Sequence, residues 1–235
     1  MFRRFIVAID GPAGSGKSTS AKLVAQRLNF LYIDTGAMYR AITFLAMRNK
    51  ILADPDTVSK LAESCTMQLE FTDGNTKIHV DGDDLTNEIR SPEVNSHVSD
   101  VSKIAGVRDA LVKKQRDMAA ATDGVVMEGR DIGTVVFPDA DVKIYLTATI
   151  DERSYRRAKE FAEQGKQVAV ETVKDNLVQR DKIDSTRAVS PLSKAPDAVE
   201  VDTSNTTVDE QVEIILDKVF KGKKYKKKQI IPAPS

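Results

Sequence analysis

Residues 5–18 read FIVAIDGPAGSGKS. Phe5–Asp10 is almost continuously apolar, the pattern of a strand buried on both faces of a parallel sheet. It runs into Gly11-Pro12-Ala13-Gly14-Ser15-Gly16-Lys17-Ser18, which satisfies G-x-x-x-x-G-K-[ST]. A helix is predicted next, over Ser18–Asn29, with Ala21, Leu23, Val24 and Leu28 apolar. Strand, glycine loop and helix in that order form the setting in which this pattern cradles phosphates. Glycines let backbone N–H groups turn towards the ligand, and the helix N-terminus adds positive potential. Gly11, Pro12, Ala13, Gly14, Ser15, Gly16, Lys17, Ser18 and Thr19 are therefore the candidate set for binding the phosphates of a nucleoside triphosphate. Lys17 is placed to reach the β and γ phosphates, and the Ser18 hydroxyl to ligate Mg²⁺. No N-K-x-D segment for guanine is evident, which argues against a GTPase.

Outward from this loop the pattern is β-α-β-α. "FLYIDTG" is a second short strand ending at Asp34-Thr35-Gly36, and a helix is predicted over Ala37–Asn49. Alternating segments at Met67–Phe71 and Lys77–Val80, around the turn signals Asp73-Gly74 and Gly74-Asn75, predict a small antiparallel insertion over about 66–92. Helices are predicted over Pro92–Val101 and Ile104–Ala121. Strands follow at "GVVMEG" and "VKIYLTA", then a helix over Asp151–Gln164 closed by Gly165. Another helix over about Ala169–Arg180 runs into a polar loop "DKIDSTRAVSP", before a strand "AVEVDTS" and a last helix Val208–Phe220. The expected fold is α/β, a three-layer phosphate-loop architecture on a five-stranded parallel sheet.

The 235 residues and their 41% hydrophobic content suit one domain with an insertion. Thirty-five basic and 35 acidic residues cancel, but residues 221–228, "KGKKYKKK", hold six Lys. Without them the chain has 29 basic against 35 acidic residues, so a nucleic-acid-binding body is not expected. The expected layout is a phosphate-loop domain with its insertion over 1–220 and a basic, solvated tail over 221–235. Cys65 is the sole cysteine, which excludes an internal disulfide and fits a cytoplasmic setting. No apolar stretch is long enough for a membrane span.

Ligands of open parallel sheets bind beyond the carboxyl ends of the strands. Three polar segments arrive there: "DTGAMYR" with Asp34, Thr35 and Arg40; "EGRDIGT" with Glu128, Arg130 and Asp131; and "QRDKIDSTR" with Arg180, Asp184 and Arg187. Arg forks donate paired hydrogen bonds to phosphate oxygens, while Asp accepts from hydroxyl and amino groups. Side by side they suit a nucleoside monophosphate. Singly, each Arg also fits an ordinary surface ion pair.

The segments "GPAGSGKST", "DTGAMYRA", "EGRDIGTVVFPDADVKIYL" and "QRDKIDSTRAVSPL" resemble those of the bacterial cytidylate kinases, over about residues 5–220. The resemblance implies strand order 2-3-1-4-5, a mobile lid over about 151–168, and phosphate transfer from ATP with Mg²⁺ to CMP and dCMP. It further implies that Arg40, Arg130 and Arg187 clamp the CMP phosphate. Ser99, Arg108 and Asp131, with Thr35 nearby, would read cytosine, and Arg180 and Asp184 would meet the ribose hydroxyls. The helix "DERSYRRAKE" resembles the lid, so Arg153, Arg156 and Arg157 join Lys17 as candidate catalytic groups over the phosphates. On the residues alone these arginines also fit an exposed helix face, with Glu152 and Glu160 as partners. Glu128 stands where the family often has Asp, which leaves a metal role for it or Asp34 open. The family also leans towards a monomer. Rival readings are a kinase for UMP, AMP or shikimate, and a nucleotide-dependent regulatory module whose Lys tail engages RNA or membrane.

Overall fold

The computed structural model describes residues 4–72, 75–163 and 165–221. The turn at 73–74 and the tail beyond residue 221 lie outside the described residues, as do the side chains of Thr72 and Asn75. The five parallel strands are β1 (Phe5–Asp10), β2 (Leu31–Asp34), β6 (Gly124–Gly129), β7 (Val142–Thr147) and β8 (Val199–Asp202). They lie in the order β2-β6-β1-β7-β8, which is 2-3-1-4-5 when only these strands are counted. The first strand is thus central, with Asp10 opposite Gly129 and Asp34 opposite Glu128. The phosphate loop and the acidic strand ends are thereby set along one edge of the sheet.

Side chains alternate across the sheet, as a period of two requires. On one face Val7, Ile9, Tyr32, Val126, Ile144 and Leu146 pack with α1 (Lys17–Leu28) and α8 (Val208–Lys221). On the other, Ala8, Ile33, Val125 and Met127 pack with α2 (Thr35–Arg48), α3 (Pro55–Ser64) and α5 (Ala105–Ala120). That second core also takes in Met67, Ile78, Val80 and Leu85 from the antiparallel insertion. Strands β3 (Met67–Thr72), β4 (Asn75–Val80) and β5 (Asp83–Asp84) form that insertion, in the order β3-β4-β5. A 3₁₀ turn at Glu88–Arg90 leads into α4 (Pro92–Val101).

Four local readings need correction. Helix α2 begins at Thr35, two residues early, because the Asp34 carboxylate caps it by accepting from the Ala37 N–H at 2.9 Å. Helix α3 is additional; Asp54 caps it, Pro55 stands in its first turn, and Val58 and Ala62 are buried one turn apart. The segment after β4, for which no strand is predicted, contains the short third strand β5. Helices α6 (Ile150–Glu163) and α7 (Val170–Thr186) follow β7, and α7 runs six residues beyond the expected end at Arg180. Ser185 and Thr186 return their hydroxyls to the carbonyls of Asp181 and Lys182, one turn back, so these turn-favouring residues are accommodated within the helix. The helix ends at Arg187, in an extended conformation before Pro191. Arg180 and Asp184 accordingly lie one helical turn apart on the same side.

Ile33 is fully buried between β2 and the helices of the second core. Ile33→Ala should cost about 2–5 kcal/mol of unfolding free energy and Ile33→Val about 0.5–1.5. Urea denaturation of both variants checks this order.

Candidate functional site

The phosphate loop takes its shape from close approach. Gly11 has φ +148°, and a Cβ there would stand 2.0 Å from the Leu146 carbonyl oxygen. Gly16 caps α1 at φ +86°, a left-handed conformation that glycine adopts without cost. The loop carbonyls are held from behind. Arg153 donates to Ala13 O at 3.1 Å, and the Thr203 hydroxyl lies 3.0 Å from Ser15 O. Because C=O and N–H point opposite ways across a trans peptide, this turns the following N–H groups to the other side, towards the cavity. Lys17 Nζ donates to Pro12 O at 2.6 Å. Burial and the nearby Arg130 charge push its pKa down to about 7, with Glu128 and Asp10 opposing them.

Below the loop, Glu128 is buried at the end of β6. It accepts from Ser18 Oγ at 3.0 Å and, through its other oxygen, from the Tyr32 hydroxyl. Burial raises its carboxyl above the usual range, Asp34 adds to this, and Lys17 works against it. Asp34 borders the same floor and accepts from Arg40 at 3.0 Å. No cluster of three or more acidic, His or Cys ligands occurs among the described residues. A hydroxyl backed by one carboxylate nonetheless suits Mg²⁺, which keeps waters and takes its remaining oxygens from phosphates.

A cavity of about 1010 Å³ opens in front of these groups. That lies at the upper end of the usual range for ligand sites. Its walls include Lys17, Arg40, Arg130, Arg157, Arg180 and Arg187. Arg130 pairs with Asp184 at 2.9 Å. Burial works to raise the Asp184 carboxyl, but the guanidinium groups of Arg130 and Arg180 outweigh it and hold the carboxyl below its usual range. Arg180 has no hydrogen-bond partner for its buried Nε. Burial and the Arg130 charge push Arg180 down to about 10, and Arg40 and Arg157 add to the repulsion. Positive charge is thus crowded on this wall, and one buried donor on it is unspent.

Behind the arginines the chemistry changes. Arg108, almost wholly buried, pairs with Asp131 and donates to Ser102 O at 3.2 Å. Its guanidinium lies 5.4 Å from the Tyr39 ring centre. Arg187 donates to Ser190 O and to Ser102 Oγ, and approaches Asp131 to 3.7 Å. Ser99 completes this wall, while the Thr35 hydroxyl donates to Glu128 O at 2.7 Å. This part of the cavity wall sets a buried acid beside buried donors.

The three arginines of α6 have different surroundings. Arg157 lines the cavity, over Phe161 and paired with Glu160. Arg156 also lines it, bonded to Glu152 and to Thr203. Arg153 instead lies behind the loop, donating to Ala148 O at 3.1 Å and to Asp181 at 2.7 Å as well as to Ala13 O. Gly11, Pro12 and Ser15 shape the loop from behind, whereas Ala13, Gly14, Gly16, Lys17, Ser18 and Thr19 face the cavity. Sequence reasoning missed Ser102, Tyr39, the wall at Thr206, Thr207 and Gln211, and the buried Asp10. The Ser/Thr-rich "DTSNTT" before α8 was an available signal for that wall. Burial pushes Asp10 up to about 6, against the backbone N–H groups of Gly133 and Ile132 that bind it.

Comparison with known proteins places the chain in a family. The sequence model of the family described as "Cytidylate kinase" matches residues 7–221. The cytidylate kinase of Desulforamulus reducens is 53% identical over 218 residues, covering 92% of this chain and 97% of the relative. That of Pelotomaculum thermopropionicum is 48% identical over 220 residues (93% and 97%), and that of Bacillus licheniformis 46% identical over 223 residues (94% and 98%).

The place of Arg153 implies a stability role. Arg153→Met would leave Ala13 O, Ala148 O and the Asp181 carboxylate without their donor. It should cost about 2–3 kcal/mol, below the range for a fully buried pair because Asp181 keeps some solvent. Urea unfolding checks it, and a variant as stable as the parent would contradict the strut.

Proposed function

The chain belongs to the cytidylate kinase family, and we propose that it transfers the terminal phosphoryl group of ATP directly to CMP and dCMP, giving CDP and dCDP. One observation carries this reading. A triphosphate cradle and an arginine cluster with an unspent donor share one cavity, and the cluster is backed by the Arg108–Asp131 pair.

The acceptor phosphate is already anionic at neutral pH, so the reaction needs position and charge neutralisation rather than a strong base. Arg40, Arg130 and Arg187 hold the acceptor phosphate. Arg180 and Asp184, one turn apart on α7, meet the ribose. Asp131 accepts from the cytosine N4 amino group while Arg108 and Ser99 donate to the N3 and O2 acceptors. Uracil reverses the pattern at positions 3 and 4 and would leave buried groups unpaired, the kind of mismatch that discriminates by orders of magnitude. dCMP lacks only the 2′-hydroxyl, so its phosphate and base contacts are the same. Gly11 to Thr19 bind the ATP phosphates, with Lys17 spreading the charge of the transferring group. Mg²⁺, when bound with ATP, supplies further neutralisation, and Ser18 with Glu128 behind it would hold it. Residues 151–168 act as the lid, with Arg156 and Arg157 covering the phosphates and excluding water. Arg153, placed in the same catalytic group by resemblance, serves here through the loop it supports. The insertion near 66–92 belongs to the acceptor side. We propose that it works as a monomer in the cytoplasm.

A coupled assay with CMP, dCMP, UMP and AMP tests the reading: CMP and dCMP should be turned over well, UMP and AMP poorly. Lys17→Ala should lower turnover by more than about a hundredfold. Near-normal CMP phosphorylation by that variant would sink the assignment of the cradle. Asp131→Ala should raise KM for CMP far more than KM for ATP, and an equal rise in both would remove Asp131 from the base pocket.

A further inference from the structure

Asp10 is the last residue of β1, immediately before the glycine loop, yet it does not line the cavity. Its carboxylate is spent elsewhere. Oδ1 accepts from the Ile132 N–H and Oδ2 from the Gly133 N–H, both at 2.8 Å. These two N–H groups open a single turn of π-helix, Ile132–Val136, that follows Asp131 directly. The first of them belongs to the peptide plane whose carbonyl is that of Asp131. The same carbonyl accepts from Val135 N at 2.9 Å and Val136 N at 3.2 Å. Asp131 is thus fixed at two levels. Arg108 and Arg187 hold its carboxylate, and Asp10 holds the backbone it hangs from.

We infer that Asp10 is a positioning residue for choice of the acceptor base: it sets the backbone on which Asp131 is presented. This rests on the reading of Asp131 as the acid that meets the base amino group. It goes beyond that reading by assigning part of the discrimination to a carboxylate on the donor side of the sheet. The geometry explains why an acid is used at this position. A carboxylate accepts through both oxygens, whereas an Asn amide accepts through one and donates through the other group. Asp10→Asn would set an NH₂ against one of the two N–H donors and force the turn to move. A turn that moves Asp131 by a fraction of an ångström loosens the match to cytosine more than the grip on ATP.

The other side of the same contact supplies a second variant. A Cβ on Gly133 would stand 3.4 Å from Asp10 Oδ2 and 3.1 Å from Lys143 Cδ, at a backbone conformation outside the left-handed region. Gly133→Ala therefore perturbs the turn without altering the charge.

The experiment compares Asp10→Asn, Gly133→Ala and Asp131→Asn with the parent, measuring kcat and KM for CMP and UMP, KM for ATP, and urea stability. Asp10→Asn should raise KM for CMP about tenfold and shrink the CMP-over-UMP preference by a similar factor, with KM for ATP within about twofold. Gly133→Ala should shift the preference in the same direction by less, and it decides the question if Asp10→Asn shows no cooperative unfolding. Equal losses for CMP and ATP with the base preference intact would make Asp10 a merely structural residue and overturn the inference. If Asp131→Asn itself leaves the preference unchanged, the base reading falls, and this inference with it. If Asp131→Asn abolishes the preference while Asp10→Asn and Gly133→Ala keep it, only the positioning role is overturned.

Discussion

Repulsion among buried cations is the constraint around which this molecule is organised. Lys17, Arg130 and Arg180 face one cavity, and each is withdrawn from water far enough that its neighbours' charges matter. In solution such a group would spread apart. Here it is held together by Asp184 against Arg130, by Glu128 near Lys17, and by the rigid ends of parallel strands. The counter-charge is nevertheless incomplete, since the Arg180 Nε has no acceptor. A nucleotide with its phosphates among these charges and its ribose at Arg180 would relieve that cost, and so the free protein stores part of what such a ligand gains on binding.

The acidic residues at the strand ends do a different job from neutralisation. Asp34 caps α2 and holds Arg40; Glu128 holds Ser18 and Tyr32; Asp10 holds the turn after Asp131. Each spends its oxygens on a group from another element, so the loops that form the site are tied to the sheet rather than to one another. A site hung from strands keeps its geometry better than one built on loops alone. The same economy explains the position of Arg153. Its guanidinium joins the phosphate loop to α7, the helix that carries Arg180 and Asp184. The phosphate loop, α6 and α7 are thus tied into one frame.

The fold was legible because its signals are local and repeated. The apolar strands, the glycine loop and the turn-rich insertion each announce themselves over a few residues, and together they yield the strand order through the resemblance of the segments. The extension of α7 was not legible because Asp181, Ser185 and Thr186 favour turns when read one at a time. They are accommodated by the Ser185 and Thr186 hydroxyls returning to carbonyls one turn back, and Asp184 pairs with Arg130, 54 residues away, which no local reading could supply. Helix α3 had a readable cap in Asp54 and Pro55, but it joins the core through Val58 and Ala62, too sparse an apolar pattern to stand out. In the candidate site, residue types and strand ends sufficed to gather Arg40, Arg130, Asp131, Arg180 and Arg187 around one cavity. They could not separate Arg153 from Arg156 and Arg157, because three arginines within five residues of one helix differ only in the direction they face.

In the base pocket proposed above, pairing in the free state matters for selectivity. Asp131 and Arg108 are both buried, and left alone each would carry the full cost of an unpaired charge. Paired, they form a donor–acceptor edge that need not be assembled when the ligand arrives. A base whose amino group and ring acceptors match that edge can add its bonds to lone pairs and N–H groups that the ion pair leaves free. A base with the reverse pattern can bind only by setting acceptor against acceptor or by parting Arg108 from Asp131. The second route restores the desolvation cost that the pair had cancelled, so the penalty falls on the wrong ligand rather than the right one. Discrimination of this kind depends less on the strength of any single contact than on how firmly both partners are held. Tyr39 and Ser102 beside Arg108, and the turn beneath Asp131, provide that support.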